Sequence, residues 1–144
     1  MGNSDNPAIG AKFEEAVRLF FRGSGLDLER GHTVAVGAGS TTKPRKFDLG
    51  SSKPPTLVEC KSHTWTGGGN APSAKLSVWN EAMFYFVVAP QSYRKILAVL
   101  SHARNGESLA DHYVKRFQHL VPIGVEIFEV SSDGSSGRRV FTGS

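Results

Sequence analysis

The stretch FDLGSSKPPTLVECK, residues 47–61, decides the fold, because it reads as two short strands joined by a turn. Glycine, serine and proline at residues 50–55 are typical of a turn, whereas the flanking residues are largely apolar or β-branched. Side chains of a strand alternate between its faces, so Val58 and Cys60 can enter the core while Glu59 and Lys61 share the opposite face. Pairing of the two strands would bring Asp48 beside Glu59.

Outward from this hairpin, hydrophobic periodicity and turn signals predict the order αβββαβ, followed by a helical and hairpin extension. We therefore expect one α/β domain over residues 1–144, with a mixed sheet flanked by helices, a core at about 9–90 and an extension at 91–144. The first predicted helix is capped by Asn6-Pro7 and ends near Arg22, and an antiparallel meander of strands at 32–36, 45–49 and 56–62 follows it. A helix carrying Leu76, Val78, Trp79 and Ala82 then precedes a buried strand at 84–89. The extension consists of helices at 93–103 and 109–119 and a closing hairpin at 125–130 and 139–141 around Asp133-Gly134.

Composition narrows the class of protein. The 144 residues are 39% hydrophobic and 21% charged, which fits one soluble globular domain. No apolar run approaches the roughly 20 residues that span a bilayer, and residues 1–7 lack the layout of a signal peptide. A single cysteine, Cys60, excludes a disulfide framework, so we expect a cytoplasmic protein. The formal charge of +4 favours a polyanionic partner such as nucleic acid.

Asp48, Glu59 and Lys61 are the candidate catalytic residues. Two adjacent carboxylates repel each other unless a cation joins them, and their oxygens suit Mg²⁺ or Mn²⁺. Such an ion polarises a phosphate and activates water, while Lys61 can orient that water and offset charge on the oxyanion. The alternative is that Glu59 and Lys61 form only the polar face of an edge strand. The apolar flanks and the upstream Asp48 favour phosphodiester hydrolysis.

A further acidic residue comes from the first helix. Its apolar stripe centres near Phe13 and Val17, with Glu14 at the edge of the stripe and Glu15 nearly opposite. Glu14 can lean toward a site beside the sheet, or it can pair with Arg18 one turn later. Helical geometry supports both interpretations equally, and Glu15 is expected to be solvated.

These residues resemble the PD-(D/E)xK nuclease superfamily. Phe47-Asp48 and, after a spacing of ten residues, Glu59-Cys60-Lys61 match its motif, although Lys46-Phe47 stands where a proline is nominal. The helix with Gly10-x-x-Phe13-Glu14 is similar to the opening helix of the Mrr-like and Holliday-junction-resolvase-like branches, and the likeness covers about residues 9–90. The resemblance implies a restriction-endonuclease-like core in which Asp48 and Glu59 bind metal, with Glu14 and the backbone carbonyl of Cys60 as further ligands, and Lys61 is catalytic.

Five other residues are candidates for contact with DNA. Lys75 lies in the helix after the motif strand, where several branches of the family place a polar residue that faces the site. His63 and Trp65 lie in the glycine-rich segment that leaves the motif strand, and Trp65 can stack on a base or fold over the core. Lys43 and Lys46 precede Asp48 and can contact phosphates. For each of these residues, an ordinary surface or packing role is the alternative.

The sequence therefore predicts a magnesium-dependent DNA endonuclease, restriction-type or structure-selective, in which Mn²⁺ can replace Mg²⁺. Cleavage of both strands of a duplex by so small a chain would call for a homodimer, and residues 93–119 and the closing hairpin are candidate dimer contacts. The alternatives are a non-cleaving DNA-binding module with the nuclease fold and a nuclease subunit of a larger complex. Partners in a membrane are not expected.

Overall fold

The computed structural model describes residues 6–68 and 70–144 and is built on a six-stranded sheet. Residues 1–5, on which the expectation about a signal peptide partly depends, and Gly69 of the glycine-rich segment lie outside the described residues. The elements along the chain are α1 (Pro7–Arg22), β1 (Glu29–Val36), β2 (Lys43–Ser52), β3 (Pro55–Lys61), α2 (Ser73–Val87), β4 (Arg94–Leu100), β5 (Ala103–Arg104), β6 (Glu107–Ser108), α3 (Leu109–Phe117), a 3₁₀ turn (Gln118–Leu120), β7 (Glu126–Val130) and β8 (Gly137–Thr142).

The large sheet is mixed, with the strand order β1-β2-β3-β4-β7-β8. Strands β1, β2 and β3 form the antiparallel meander that the sequence predicts. Strand β4 runs parallel to both β3 and β7, and β8 pairs with β7 in antiparallel fashion. Parallel neighbours need a crossover, which α2 supplies between β3 and β4 and α3 supplies between β4 and β7. The α/β class with a mixed sheet is confirmed.

Apolar side chains cover both faces of the sheet. On one face, Phe13 and Val17 of α1 pack in one cluster with Leu49 and Val58. On the other face, α2 and α3 pack over a second cluster, whose fully buried members include Phe47, Leu57, Trp79, Phe86, Leu97 and Tyr113. The central strands are buried on both sides, which is typical of parallel strands between helices.

The first helix begins as predicted. The side chain of Asn6 accepts a hydrogen bond from the amide of Ala8 at 2.9 Å, and Pro7 occupies the first turn. An Asn cap satisfies one of the amides that the first turn leaves unpaired, and proline there forfeits no helical hydrogen bond. The helix ends at Arg22, as the sequence predicts.

Two predicted segments are wrong. Residues 84–89, expected to be a strand, form the last turn of α2 and the residues after it. Leu76, Trp79, Met83 and Phe86 are buried at helical spacing, whereas Phe84 is 60% exposed, so the aromatic run continues the helix. The sheet takes its next strand from Arg94–Leu100, which was expected to be helical. Its centre, Ile96–Val99 in sequence, is fully buried on both faces, a pattern that a buried helix shares.

The C-terminal part follows the prediction more closely. A helix is present at Leu109–Phe117, and β7 and β8 form the closing hairpin. Asp133 caps the connecting turn, since its Oδ1 accepts from the amide and hydroxyl of Ser135 and from the hydroxyl of Ser131. A side chain on Gly134 would collide with the carbonyl of Ala16, so this turn packs directly on α1. Among the described residues, no helix has the length and apolar character needed to cross a membrane.

Candidate active site

Backbone hydrogen bonding between β2 and β3 ends before Asp48, where side chains pair with main-chain amides instead. Backbone pairing runs from Ser52 opposite Pro55 to Leu49 opposite Val58. Beyond that point, Oδ2 of Asp48 accepts from the amide of Cys60 at 2.8 Å, and the amide of Asp48 donates to Oε1 of Glu59 at 3.1 Å. The structure thus places Asp48 beside Glu59, as strand pairing across the turn predicts.

Glu59 is a buried carboxylate with a single ion-pair partner among the described residues. It is 4% exposed, and its second oxygen, Oε2, accepts from Nη2 of Arg45 at 2.8 Å. The guanidinium of Arg45 lies 3.6 Å from the centre of the Tyr85 ring on α2 and 5.2 Å from that of Phe47. Both oxygens of Glu59 are therefore satisfied by the protein itself, one by a main-chain amide and one by an arginine.

Glu14 reaches this site from α1. Its side chain lines the same hollow as Asp48, where burial and then the charge of Asp48 raise the pKa of Glu14, and Nη2 of Arg30 donates to Oε1 of Glu14 at 3.2 Å. Arg18, the alternative partner of Glu14, pairs instead with Glu15 through two hydrogen bonds of 2.9 and 2.7 Å. Of the two interpretations that the sequence leaves open, the structure has the one in which Glu14 faces the sheet. Glu15, expected to be solvated, is half-buried in its ion pairs.

The three carboxyl groups form one electrostatic cluster. Burial, and then the charge of Asp48, raise the pKa of Glu14. The same two causes raise the pKa of Glu59, although the amide of Asp48, Lys61 and Arg45 act in the opposite direction. Burial and the three surrounding carboxylates raise the pKa of the Cys60 thiol well above its ordinary value. Positive charge from Arg45 and Lys61 therefore does not balance the burial of Glu59 beside Asp48.

The donor types suit a hard divalent cation, since Asp48, Glu59 and Glu14 offer carboxylate oxygens. The side-chain positions do not yet form a coordination shell: among the described residues, no three His, Cys, Asp or Glu side chains are grouped so as to hold a metal ion. The oxygens of Glu59 are directed at the amide of Asp48 and at Arg45. The residues fit such an ion chemically, on condition that Glu59 exchanges its present partners.

A hollow of about 340 Å³ opens beside the cluster and is lined by Glu14, Arg30, Gly31, Lys46, Phe47 and Asp48. Lys46, one of the predicted DNA contacts, therefore lies next to the carboxylates. The stem of Lys46 lies over Gly31, where even a Cβ atom would approach its Cδ to 3.1 Å. Sequence reasoning missed Arg30, because the predicted strand began at residue 32 whereas β1 begins at Glu29.

The other predicted DNA contacts are not among the residues that line this hollow. Nδ1 of His63 accepts from the indole nitrogen of buried Trp79 at 2.9 Å, which directs the imidazole toward α2. The Trp65 ring packs 5.0 Å from the ring of His112 on α3, and base stacking by Trp65 stays a prediction that would require the ring to leave this position. Lys43 is exposed at the start of β2, and Lys75 lies half-buried in the first turn of α2.

Lys61 shares the strand and the face of Glu59, two residues further on, and its charge acts on both Glu59 and Cys60. The structure therefore brings together Glu14, Asp48, Glu59, Lys61 and Lys46, and it adds Arg30 and Arg45 to the set. Comparisons of the chain with models of protein families, with curated proteins and with solved structures find no match. Any function assigned to this site accordingly depends on its own geometry and chemistry.

Proposed function

We propose that the protein is a magnesium-dependent DNA endonuclease of the PD-(D/E)xK type. The observation that carries the proposal is the pair of hydrogen bonds at the point where β2 leaves β3: the amide of Asp48 donates to Glu59, and the carboxylate of Asp48 accepts from the amide of Cys60. Lys61 follows Glu59 two residues further along β3. Glu59 is buried beside the half-buried Asp48, and two adjacent carboxylates repel each other unless cations compensate them, so their presence here favours a functional role. The element order from α1 to β4 is compatible with a restriction-endonuclease-like core.

In this proposal, Asp48 and Glu59 hold the divalent ion, with Glu14 and the backbone carbonyl of Cys60 as further ligands. When bound, Mg²⁺ or Mn²⁺ supplies a polarised phosphodiester and a water of lowered pKa. Lys61 orients the attacking water and offsets the charge that develops on the phosphate oxygens. Arg30 and Lys46, in the hollow beside the carboxylates, bind phosphates next to the scissile bond and fix the DNA backbone in place.

Cleavage of both strands of a duplex would need two copies of this site, so we propose a homodimer as the active form on such substrates. A restriction-type enzyme and a structure-selective enzyme would both fit that description. The two differ in substrate: the first cuts linear duplexes at defined sequences, and the second prefers branched DNA.

A cleavage assay on supercoiled plasmid and on a synthetic four-way junction tests the proposal. The wild-type protein is incubated with Mg²⁺, with Mn²⁺ or with EDTA, alongside Lys61→Ala and the matched surface variant Lys12→Ala. We expect cutting with either metal and none with EDTA, a loss of about 100-fold or more in Lys61→Ala, and wild-type rates in Lys12→Ala. Failure of every metal condition to yield cut DNA would overturn the enzymatic proposal, and full activity in Lys61→Ala would overturn the role of that lysine.

A second candidate is a DNA-binding module that keeps this site without cutting. The specific observation in its favour is that both oxygens of Glu59 are already engaged by the amide of Asp48 and by Arg45. In that case the protein would retard DNA in a gel with equal affinity in Mg²⁺ and EDTA, and the DNA recovered from the complex would be intact.

A further inference from the structure

Arg45 occupies the place of a cation in the carboxylate cluster. It lies on β2, three residues before Asp48, and its only ion pair among the described residues is with Glu59 at 2.8 Å. The guanidinium is held from the other side by the ring of Tyr85, whose centre is 3.6 Å away. A positive charge between an aromatic face and a buried carboxylate is attracted by both. The side chain is still 27% exposed, so solvent has access to it.

The contact between Arg45 and Glu59 uses fewer hydrogen bonds than the contact between Arg94 and Glu126. Arg94 binds Glu126 through two hydrogen bonds, from Nε to Oε2 at 2.6 Å and from Nη2 to Oε1 at 3.0 Å. Arg45 donates to Glu59 through Nη2 alone, and within the described residues its buried Nε has no hydrogen-bond partner. An arginine that only neutralised Glu59 permanently would be expected to use its fork and leave no buried donor unpaired.

Oε2 is the oxygen of Glu59 from which a metal ion could displace Arg45, because the main chain holds the neighbouring carboxylate oxygens. Oε1 of Glu59 is fixed by the amide of Asp48, and Oδ2 of Asp48 is fixed by the amide of Cys60. Oε2 of Glu59 is therefore the oxygen that is bound by a side chain, Arg45. Arg45 can leave this oxygen without breaking any main-chain hydrogen bond between β2 and β3. A divalent ion bound at Oε2 and a guanidinium at the same oxygen would exclude each other, because both carry positive charge.

We propose that Arg45 is a resident counter-ion that competes with the divalent ion for Glu59, so that metal binding displaces the guanidinium from Oε2. This inference rests on the proposed function, since it takes the carboxylate cluster to be a metal site. It assigns Arg45 a positioning role: the residue holds Glu59 in place while the site is empty and sets how tightly the site takes up metal. Tyr85 assists by holding the guanidinium against Glu59.

Calorimetric titration of Mn²⁺ into the DNA-free protein tests this inference. The variants are Arg45→Gln, Tyr85→Leu, which loosens the guanidinium without removing its charge, and Arg22→Gln, an exposed arginine paired with Asp27 outside the cluster. We expect Arg45→Gln to bind Mn²⁺ on the order of 10-fold more tightly than wild type, a typical coupling between two competing ligands. Tyr85→Leu should fall between Arg45→Gln and wild type, and Arg22→Gln should match wild type.

Side-chain NMR of the arginine Nε–H groups gives an independent readout. The Arg45 signal, identified by its loss in Arg45→Gln, should shift when Mg²⁺ is added to the wild-type protein. Equal or weaker Mn²⁺ affinity in Arg45→Gln, or an Arg45 signal that stays fixed while the metal binds, would overturn the displacement. Circular dichroism establishes which variants are folded, and if Arg45→Gln is unfolded, the sign of the change in Tyr85→Leu decides the question. Absence of Mn²⁺ binding in the wild type and in every folded variant would instead overturn the proposed metal site, and the displacement with it.

Discussion

The main-chain amide of Asp48 donates to Oε1 of Glu59, and the carboxylate of Asp48 accepts from the amide of the residue that follows Glu59. Side chains thus replace the backbone ladder where β2 and β3 separate. These two hydrogen bonds fix the position of Asp48 along β2 relative to that of Glu59 along β3. Because a carboxylate from each strand accepts one of these bonds, replacing either by an apolar residue would leave a half-buried main-chain amide without this partner.

Asp48→Asn separates the charge of this residue from its structural bond. The asparagine carbonyl can still accept from the amide of Cys60, while its neutral side chain relieves the repulsion with Glu14 and Glu59. We expect a folded protein whose midpoint of thermal unfolding equals or exceeds that of wild type, with DNA cleavage reduced about 100-fold or more. Asp27→Asn, at a side chain that is 89% exposed, is the matched control. Cleavage by Asp48→Asn within twofold of wild type would contradict the assignment.

Glu14→Gln makes a pH-dependent prediction. Burial, and then Asp48, raise the pKa of Glu14 above its ordinary 4.5, so the ionised carboxylate is less favourable in the folded chain than in the unfolded chain. The wild type consequently loses stability as the pH rises from 4.5 through the raised pKa, and the glutamine variant does not. We expect Glu14→Gln to unfold at a higher temperature than wild type at pH 8, and the two curves to converge below pH 4.5.

Thermal scans of both proteins from pH 4 to pH 8 measure this difference, with Glu81→Gln on the exposed side of α2 as the control. A glutamine variant less stable than wild type at pH 8 would mean that the bond from Arg30 to Glu14 outweighs the contact with Asp48. Such a result would argue against a strained carboxylate cluster.

The turn at Asp133 provides a pH dependence of opposite sign. Hydrogen bonds from the amide and hydroxyl of Ser135 and from the hydroxyl of Ser131 lower the pKa of Asp133 to about 2. The stability that the carboxylate contributes is therefore present above its ordinary value of 3.8 and is lost as the pH falls toward 2. We expect Asp133→Asn to lower the unfolding temperature at pH 7 and to have a much smaller effect near pH 2. An equal effect at both pH values would indicate that shape, and not charge, matters in this turn.

The sequence predicted the centre of the site because the features that build it are local. Alternation along β3 and a short turn after β2 suffice to place Asp48 near Glu59, and both can be inferred from residues 47–61. The choice between Glu14 and Glu15 was harder, since helical geometry allowed Glu14 either partner. Arg18 selects Glu15 one residue closer, at a spacing of three, and leaves Glu14 to Asp48.

The parts that the sequence did not predict depend on tertiary contacts. Phe84 to Phe86 continue α2 because the buried stripe from Leu76 persists to Phe86, whereas a short aromatic run alone is typical of strand and helix alike. The roles of Arg30 and Arg45 follow from their neighbours, Glu14 on α1 and Tyr85 on α2, which lie far away in the chain. Sequence patterns carry no signal for such contacts between elements.

Lys46 and Arg30 give the final prediction, which concerns binding and not chemistry. Both line the hollow beside Glu14 and Asp48, and in the proposed function both contact phosphates. Each phosphate contact releases counterions, so its removal should flatten the plot of log affinity against log salt by about 0.9. We expect this change in Lys46→Ala, with the affinity for all duplex sequences weakened to a similar extent and the cleavage rate at saturating DNA near that of wild type. Arg30→Ala should show the same change in slope together with a lower cleavage rate, because Arg30 also donates a hydrogen bond to Glu14.

Fluorescence anisotropy of a labelled duplex in EDTA, between about 50 and 200 mM salt, measures both slopes against Lys12→Ala, an exposed lysine on α1. Slopes in Lys46→Ala and Arg30→Ala that equal the wild-type slope would place the DNA backbone on another surface of the protein.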